Sequence, residues 1–202
     1  MAKALRKATI KRKTTETDIS LTLGIDGTGK SKVDTGIPFF DHMLTLFSRH
    51  GLFDLKLKVK GDIEIDFHHT IEDTAITLGE AFKKALGDKA GIRRYGRADV
   101  PMVDSLASVV VDISGRPYLR MEVAKTLFKS KARKEEFDER LTEEFMRAIS
   151  NNAGLDLHID LPYGKEIHHA IEAIFKAFGR AMRVATERDP RVKGVMSTKG
   201  TL

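Results

Sequence analysis

The chain repeats itself. His68-His69-Thr70-Ile71-Glu72 returns 100 positions later as His168-His169-Ala170-Ile171-Glu172. The match runs on downstream, pairing Gly79 with Gly179, Ala81 with Ala181 and Ala85 with Ala185. A shared HHxxE could be chance, but its extension points to a duplicated half-domain. Such a duplication constrains the fold strongly, because one supersecondary unit must be built twice and pack against its own copy.

Each half reads alike. Asp18–Ile25 alternates apolar and polar residues, as does Ser108–Ile113 less cleanly, and both are expected to be strands. Turns follow at Asp26–Gly29 and Ser114–Pro117, then second strands near Lys30–Thr35 and Tyr118–Val123. A helix is expected over Phe39–His50 and another over Glu139–Asn152, stopped by Gly51 and near Gly154. Strands return at Asp54–Val59 and Asp156–Asp160, and each HHxxE then opens a long second helix. Over Thr70–Leu86, one face carries Ile71, Ala75, Leu78, Phe82 and Leu86; Ile171, Ile174, Phe175, Phe178 and Met182 form its counterpart. Gly87 is the first long helix's stop signal. The connector Gly87–Pro101 is rich in Gly and Arg, and Lys129–Arg140 is a charge run expected to be solvated. The fold class is α+β: internally duplicated β-β-α-β-α halves, each a sheet covered by helices. One domain is expected over 1–202, its half-repeats spanning about 10–95 and about 104–190, followed by a C-terminal tail.

There are no cysteines, so disulfides, zinc–thiolate sites, iron–sulfur clusters and thiol nucleophiles are excluded. Seven histidines remain, four of them in the two adjacent pairs. Any metal must therefore use imidazole and carboxylate. No apolar run is long enough to cross a bilayer, and none follows the basic N-terminus, so a secretory signal is not expected. Lys and Arg exceed Asp and Glu by 35 to 29, a net charge of +6. Without interleaved aromatics that excess is a weak nucleic-acid footprint.

Gly24-Ile25-Asp26-Gly27-Thr28-Gly29-Lys30-Ser31 satisfies the phosphate-loop pattern of a nucleotide-binding protein, and Val109–Asp112 supplies an apolar run ending in Asp. That pattern works only where a helix opens immediately after the loop and offers its free amides to phosphate. Here Gly36 and Pro38 fall where the first helical turns would run. A hairpin turn built on Asp26-Gly27 is the expected alternative.

Neighbouring residues on a helix point about 100° apart, so His68 and His69 do not readily serve one metal together. His68 and Glu72, one turn apart, share a face. Each HHxxE thus offers a His/Glu pair to one metal and a lone His to another. Exchange across the repeat would give one set of His68, Glu72 and His169 and another of His168, Glu172 and His69. The helix N-terminus disfavours a cationic imidazole, leaving these side chains able to ligate. Such donors suit Mn, Fe or Zn. The bland alternative is that Glu72 and Asp73 merely stabilise a helix start. His50, before Gly51, reads as a favourable helix C-terminal charge, and His158 as a strand residue facing away from the core.

The residues closely resemble the imidazoleglycerol-phosphate dehydratase family over essentially the whole chain. The motifs are Arg12…Thr15-Glu16-Thr17, FFDHML (Phe39–Leu44), DFHHTIED (Asp66–Asp73), GIRRYG (Gly91–Gly96), SGRPY (Ser114–Tyr118), HHAIEAIFKA (His168–Ala177) and STKG (Ser197–Gly200). The resemblance implies a hydro-lyase of histidine biosynthesis that dehydrates imidazoleglycerol phosphate to imidazoleacetol phosphate through a metal-bound imidazolate and a diazafulvene-like intermediate. It implies two manganese ions per active site: one on His42, His69, His168 and Glu172, the other on His68, Glu72, His169 and a ligand at Glu144, where the family usually has His. Glu16 is implied in proton transfer; Arg94, Arg116, Lys176, Ser197 and Lys199 are implied in holding the substrate phosphate. Glu166 is a second departure, since the family usually has Asn there, and it affects the loop Pro162–Ile167. The resemblance further implies a cytoplasmic homo-oligomer of 24 subunits built from trimers, with sites between subunits, a small phosphorylated imidazole substrate, and no nucleic-acid or membrane partner.

Overall fold

The computed structural model describes residues 5–124 and 137–202. The first half runs β1 (Lys7–Lys13), β2 (Thr17–Gly24), β3 (Ser31–Asp34), α1 (Pro38–Gly51), β4 (Asp54–Gly61) and α2 (His68–Leu86). The second runs β5 (Tyr95–Met102), β6 (Ser105–Asp112), β7 (Tyr118–Val123), α3 (Glu139–Ala153), β8 (Asp156–Tyr163) and α4 (Ile167–Thr186). The duplicated α+β halves are therefore present, each led by one strand beyond the β-β-α-β-α order. Both extra strands lie at a sheet edge. β1 has Ala8 as its only fully buried side chain, and its basic sequence reads as a tail. β5 carries Gly96 and Pro101, which an edge strand accommodates.

The sheets have matching orders, β1-β2-β4-β3 and β5-β6-β8-β7, with β3 parallel to β4 and β7 parallel to β8. Alternation sets their faces: Ile19, Leu21 and Leu23 of β2 point inward, and Asp18, Ser20 and Thr22 outward. The repeat extends to single hydrogen bonds. Ser48 Oγ donates to the Phe53 carbonyl and Ser150 Oγ to the Leu155 carbonyl, each at 2.7 Å.

The helices lie between the sheets. α2 packs on β1 and β2, α4 on β5 and β6, and the free helix faces meet across the halves, α1 against α4 and α2 against α3. Phenylalanines from both halves interleave there: Phe47 stacks on Phe178 at 5.1 Å, and Phe40 meets Phe145 edge-on at 5.6 Å. The repeat-related glycines sit at these crossings. A Cβ on Gly179 would lie 2.5 Å from the Phe47 carbonyl oxygen, and one on Gly79 2.8 Å from Asn152 Cβ. Only hydrogen lets the helix backbones approach so closely.

Pro38 begins α1, where a missing N–H costs nothing. Asp138 caps α3 by accepting from the Leu141 amide at 2.9 Å. Of the charge run Lys129–Arg140, residues 129–136 lie outside the described residues. His50 departs from its expected role: burial foremost, then Lys176 and Arg180, lowers its pKa and disfavours the charged form.

The nucleotide reading fails on this geometry. The loop after Gly24 leads into strand β3, and Asp54 Oδ1 accepts from the amides of Thr28 at 2.9 Å and Lys30 at 3.0 Å. Those two amides face a carboxylate instead of a phosphate. The hairpin alternative fails too, since β4 lies between β2 and β3.

Candidate metal centre

The first two turns of α1 and α4 bring His42, His168 and Glu172 together, their ligand atoms all within 4.8 Å of one another. Glu172 Oε2 lies 3.2 Å from His168 Nε2 and 3.6 Å from His42 Nε2. Both histidines are exposed while Glu172 is 6% exposed. Burial alone would raise the Glu172 carboxyl. Lys176, with Nζ 2.5 Å from Oε1, and then His168 and His42 hold it below the usual carboxylate range. A buried carboxylate already drawing three positive or donor groups is suited to a divalent cation. Lys176 thus stands beside this His/Glu cluster and is not among the residues lining the cavity that the other expected phosphate ligands share.

The pseudo-equivalent set is more open. His68 Nε2 lies 3.7 Å from Glu72 Oε2, and both side chains are 40% exposed. Glu144 is half-buried on α3, which packs against α2. Among the described residues, no second trio of possible ligands converges as His42, His168 and Glu172 do.

The exchange of lone histidines expected from the repeat does not occur within one chain. His69 Nδ1 pairs with Asp62 Oδ2 at 2.9 Å, and His169 Nδ1 with Asp104 Oδ1 at 3.2 Å. Each imidazole keeps Nε2 for another partner, the arrangement that orients histidine ligands at metals. The Asp62 hydrogen bond also raises the His69 pKa, overriding the lowering expected at a helix N-terminus. Asp62 Oδ1 is buried without a partner. Glu16, on the β1–β2 turn, reaches within 3.7 Å of His69 Nε2.

Sequence reasoning missed Asp62 and Asp104. Asp62 lies just past the end of β4 and shows no periodic signal. Asp104 lies between β5 and β6, and would have been found once β5 was read as a strand.

A cavity of about 1070 Å³ is lined by Arg94, Ser114, Arg116, Ser197 and Lys199, among others. The C-terminal segment forms one wall, tied by the Gly91 amide to the Gly194 carbonyl at 2.7 Å. Arg94 is largely committed to the protein. It grips Asp112 through Nε at 2.6 Å and Nη2 at 2.9 Å, and donates from Nη1 to the Met196 carbonyl at 2.7 Å. Arg116 and Lys199 are exposed, with freer heads. Glu166 precedes α4 without a side-chain cap, and its amide donates to Asp104 Oδ2 at 3.3 Å.

Fold and donors together define a class: duplicated α+β proteins whose paired helices present imidazole and carboxylate groups suited to a metal ion, beside a cation-lined cavity. The sequence profile described as Imidazoleglycerol-phosphate dehydratase matches residues 35–182. The chain belongs to that family. It is 59% identical over 197 residues to the imidazoleglycerol-phosphate dehydratase of Geobacter metallireducens, covering 98% of this chain and 99% of that one. The counterpart from Pelobacter propionicus is 60% identical over 197 residues, with the same coverage. The crystal structure of the dehydratase from Pyrococcus furiosus superposes with a TM-score of 0.80 at 36% identity, over 96% of this chain and all of that one. That from Staphylococcus aureus gives 0.79 at 40% identity, over 91% and 99%.

Proposed function

We infer that the chain is a hydro-lyase that converts imidazoleglycerol phosphate to imidazoleacetol phosphate in histidine biosynthesis. The observation that carries this reading is family identity close to 60% over 98% of the chain. We further propose two manganese ions per active site. His42, His168 and Glu172 would hold one, completed by His69; His68, Glu72 and Glu144 would hold the other, completed by His169. The imidazole–carboxylate donor set and the unpartnered Asp62 oxygen behind His69 fit this. His69 and His169 are engaged away from the partners they would join, which supports sites completed by neighbouring subunits; the trimer-based assembly of 24 chains rests on the family resemblance alone.

Bound metal supplies Lewis-acid stabilisation of negative charge on the substrate imidazole and a template for its ring nitrogens. The chain's own groups do the rest. Glu16 would accept the proton from the side-chain carbon adjacent to the one that loses its hydroxyl. Arg116, Ser197 and Lys199 hold the phosphate in the cavity, while Arg94 fixes the cavity wall through Asp112 and Met196. Lys176 neutralises Glu172; with a cation held by His42, His168 and Glu172 its charge would be free for the substrate. We place the enzyme in the cytoplasm, free of membrane and nucleic acid, on its biosynthetic role. No helix of the described residues is long and apolar enough to cross a membrane.

A dehydratase assay on manganese-reconstituted protein, with and without chelator, tests the reading. Turnover that requires added metal is expected. Activity that persists in metal-free protein would refute the metal assignment, and no dehydration at full metal loading would refute the function.

A further inference from the structure

Beneath Glu16 lies a buried polar cluster that the mechanism above leaves unused. Asp73 follows Glu72 on α2 and is 6% exposed. Its Oδ1 accepts from Arg12 Nε at 2.9 Å and lies 2.8 Å from Nη2. Its Oδ2 accepts from the buried Thr17 hydroxyl at 2.5 Å and more weakly from Thr14 Oγ at 3.5 Å. Thr14 Oγ in turn accepts the amides of Glu16 at 3.1 Å and Thr17 at 2.9 Å, and the Thr14 amide donates to the Thr17 carbonyl at 2.9 Å. The β1–β2 turn is thereby fastened to the helix that carries His68, His69 and Glu72, while the Glu16 side chain stands clear, 47% exposed.

The second half lacks this arrangement. Strand register puts Val100 where β1 has Arg12, the repeat puts Ala173 where α2 has Asp73, and the β5–β6 turn reaches His169 directly through Asp104. A fold requirement would be expected in both copies. The cluster occurs only under the turn that bears Glu16.

We propose that Asp73, held by Arg12 and bonded to Thr17 and Thr14, is a positioning residue that fixes Glu16 over His69 for proton transfer. The proposal rests on the reading of Glu16 as the proton-transfer group. The physical reason is geometric: proton transfer needs the carboxylate within hydrogen-bond reach of one carbon, and a hairpin turn exposed on both sides would let it wander. A buried carboxylate joined to a guanidinium and a hydroxyl is a stiff anchor, since loosening it strands charge in the interior.

Thr17→Val, Asp73→Asn, Thr17→Ser and Glu16→Gln decide it, each measured for kcat, KM, metal content and hydrogen exchange of the Glu16 and Thr17 amides. Thr17→Val and Asp73→Asn are expected to lower kcat about tenfold, with KM and metal content near wild type and faster turn exchange, as removal of one buried hydrogen bond predicts. Thr17→Ser is expected to restore wild-type values. Adding Thr17→Val to Glu16→Gln should cost nothing further in kcat. Wild-type kcat and exchange in Thr17→Val would overturn the proposal, as would a loss that tracks metal content. If Asp73→Asn does not fold, Thr17→Val alone carries the decision. Full turnover in Glu16→Gln would refute the Glu16 reading itself and remove the group to be positioned, an outcome distinct from failure of the anchor.

Discussion

Gly179→Ala tests whether the helix crossing sets the metal cluster. On an isolated helix the change would be favourable by ~1 kcal/mol, because alanine restricts the unfolded backbone. In this fold the added methyl would stand 2.5 Å from the Phe47 carbonyl oxygen and 3.2 Å from the Gly51 nitrogen, both on α1. These are backbone atoms, which no rotamer change can move aside. Restoring an ordinary carbon contact of ~3.5 Å requires α1 and α4 to part by about 1 Å. Overpacking of this kind costs about 1–3 kcal/mol, which for a chain this size lowers the melting temperature by roughly 2–12 °C. The same displacement carries His42 away from His168 and Glu172, where His42 Nε2 now lies 3.6 Å from Glu172 Oε2. Manganese affinity should therefore fall together with stability. Gly79→Ala, at the α2–α3 crossing, should destabilise comparably while leaving His42 with its partners. Thermal unfolding with metal titration reads both effects. A Gly179→Ala protein that melts and binds manganese like the wild type would refute the argument.

Three other expectations are independent of that crossing. Glu144→Ala should sharply reduce metal content and activity; an unchanged two-metal stoichiometry would show that Glu144 does not ligate. Deleting Ser197 onward should raise KM with little change in folding, since it removes Ser197 and Lys199 from the cavity; an intact KM would refute the tail's role. His50 has a folded pKa below its ordinary value of 6.5, so the unfolded chain binds that proton more readily. Its contribution to stability is complete above about pH 6.5 and is lost as acid is added below it. Denaturation from pH 7.5 to 5.5 should accordingly show a shallower loss for His50→Gln than for wild type, and identical slopes would count against it.

The duplication, the four helices and every strand except β1 and β5 were legible from a period, a turn or a clear stop signal: alternation over Asp18–Ile25, the turns before Lys30 and Tyr118, the apolar stripe from Ile71 to Leu86, Gly87 and Gly154. β1 and β5 were not legible, because an edge strand buries little and its sequence is free to look like a basic tail or a Gly/Arg linker. The candidate metal ligands were legible as residue types, and the i, i+4 spacing does set His68 beside Glu72 and His168 beside Glu172. Joining His42 to the second pair needs the α1–α4 crossing, which no local spacing encodes; only family resemblance supplied it. Asp62, Asp73 and Asp104 read as ordinary acidic residues because their importance lies in what they touch across the fold. The phosphate-loop string is the converse case: a complete pattern that its own context argued against, and two of whose amides the fold gives to Asp54.

The pairing of α1 with α4 and α2 with α3 bears on ancestry. A lone half would leave the inner faces of its two helices, with Phe40 and Phe47 that now meet Phe145 and Phe178, open to water. Before the gene doubled, a half-length ancestor could have survived only as a symmetric pair, with two identical clefts where its helices crossed. Fusion removed the requirement that the clefts stay identical. His42 in one and Glu144 in the other, an anchored turn beside one and a short acidic hairpin beside the other, are differences that a symmetric pair could never have acquired.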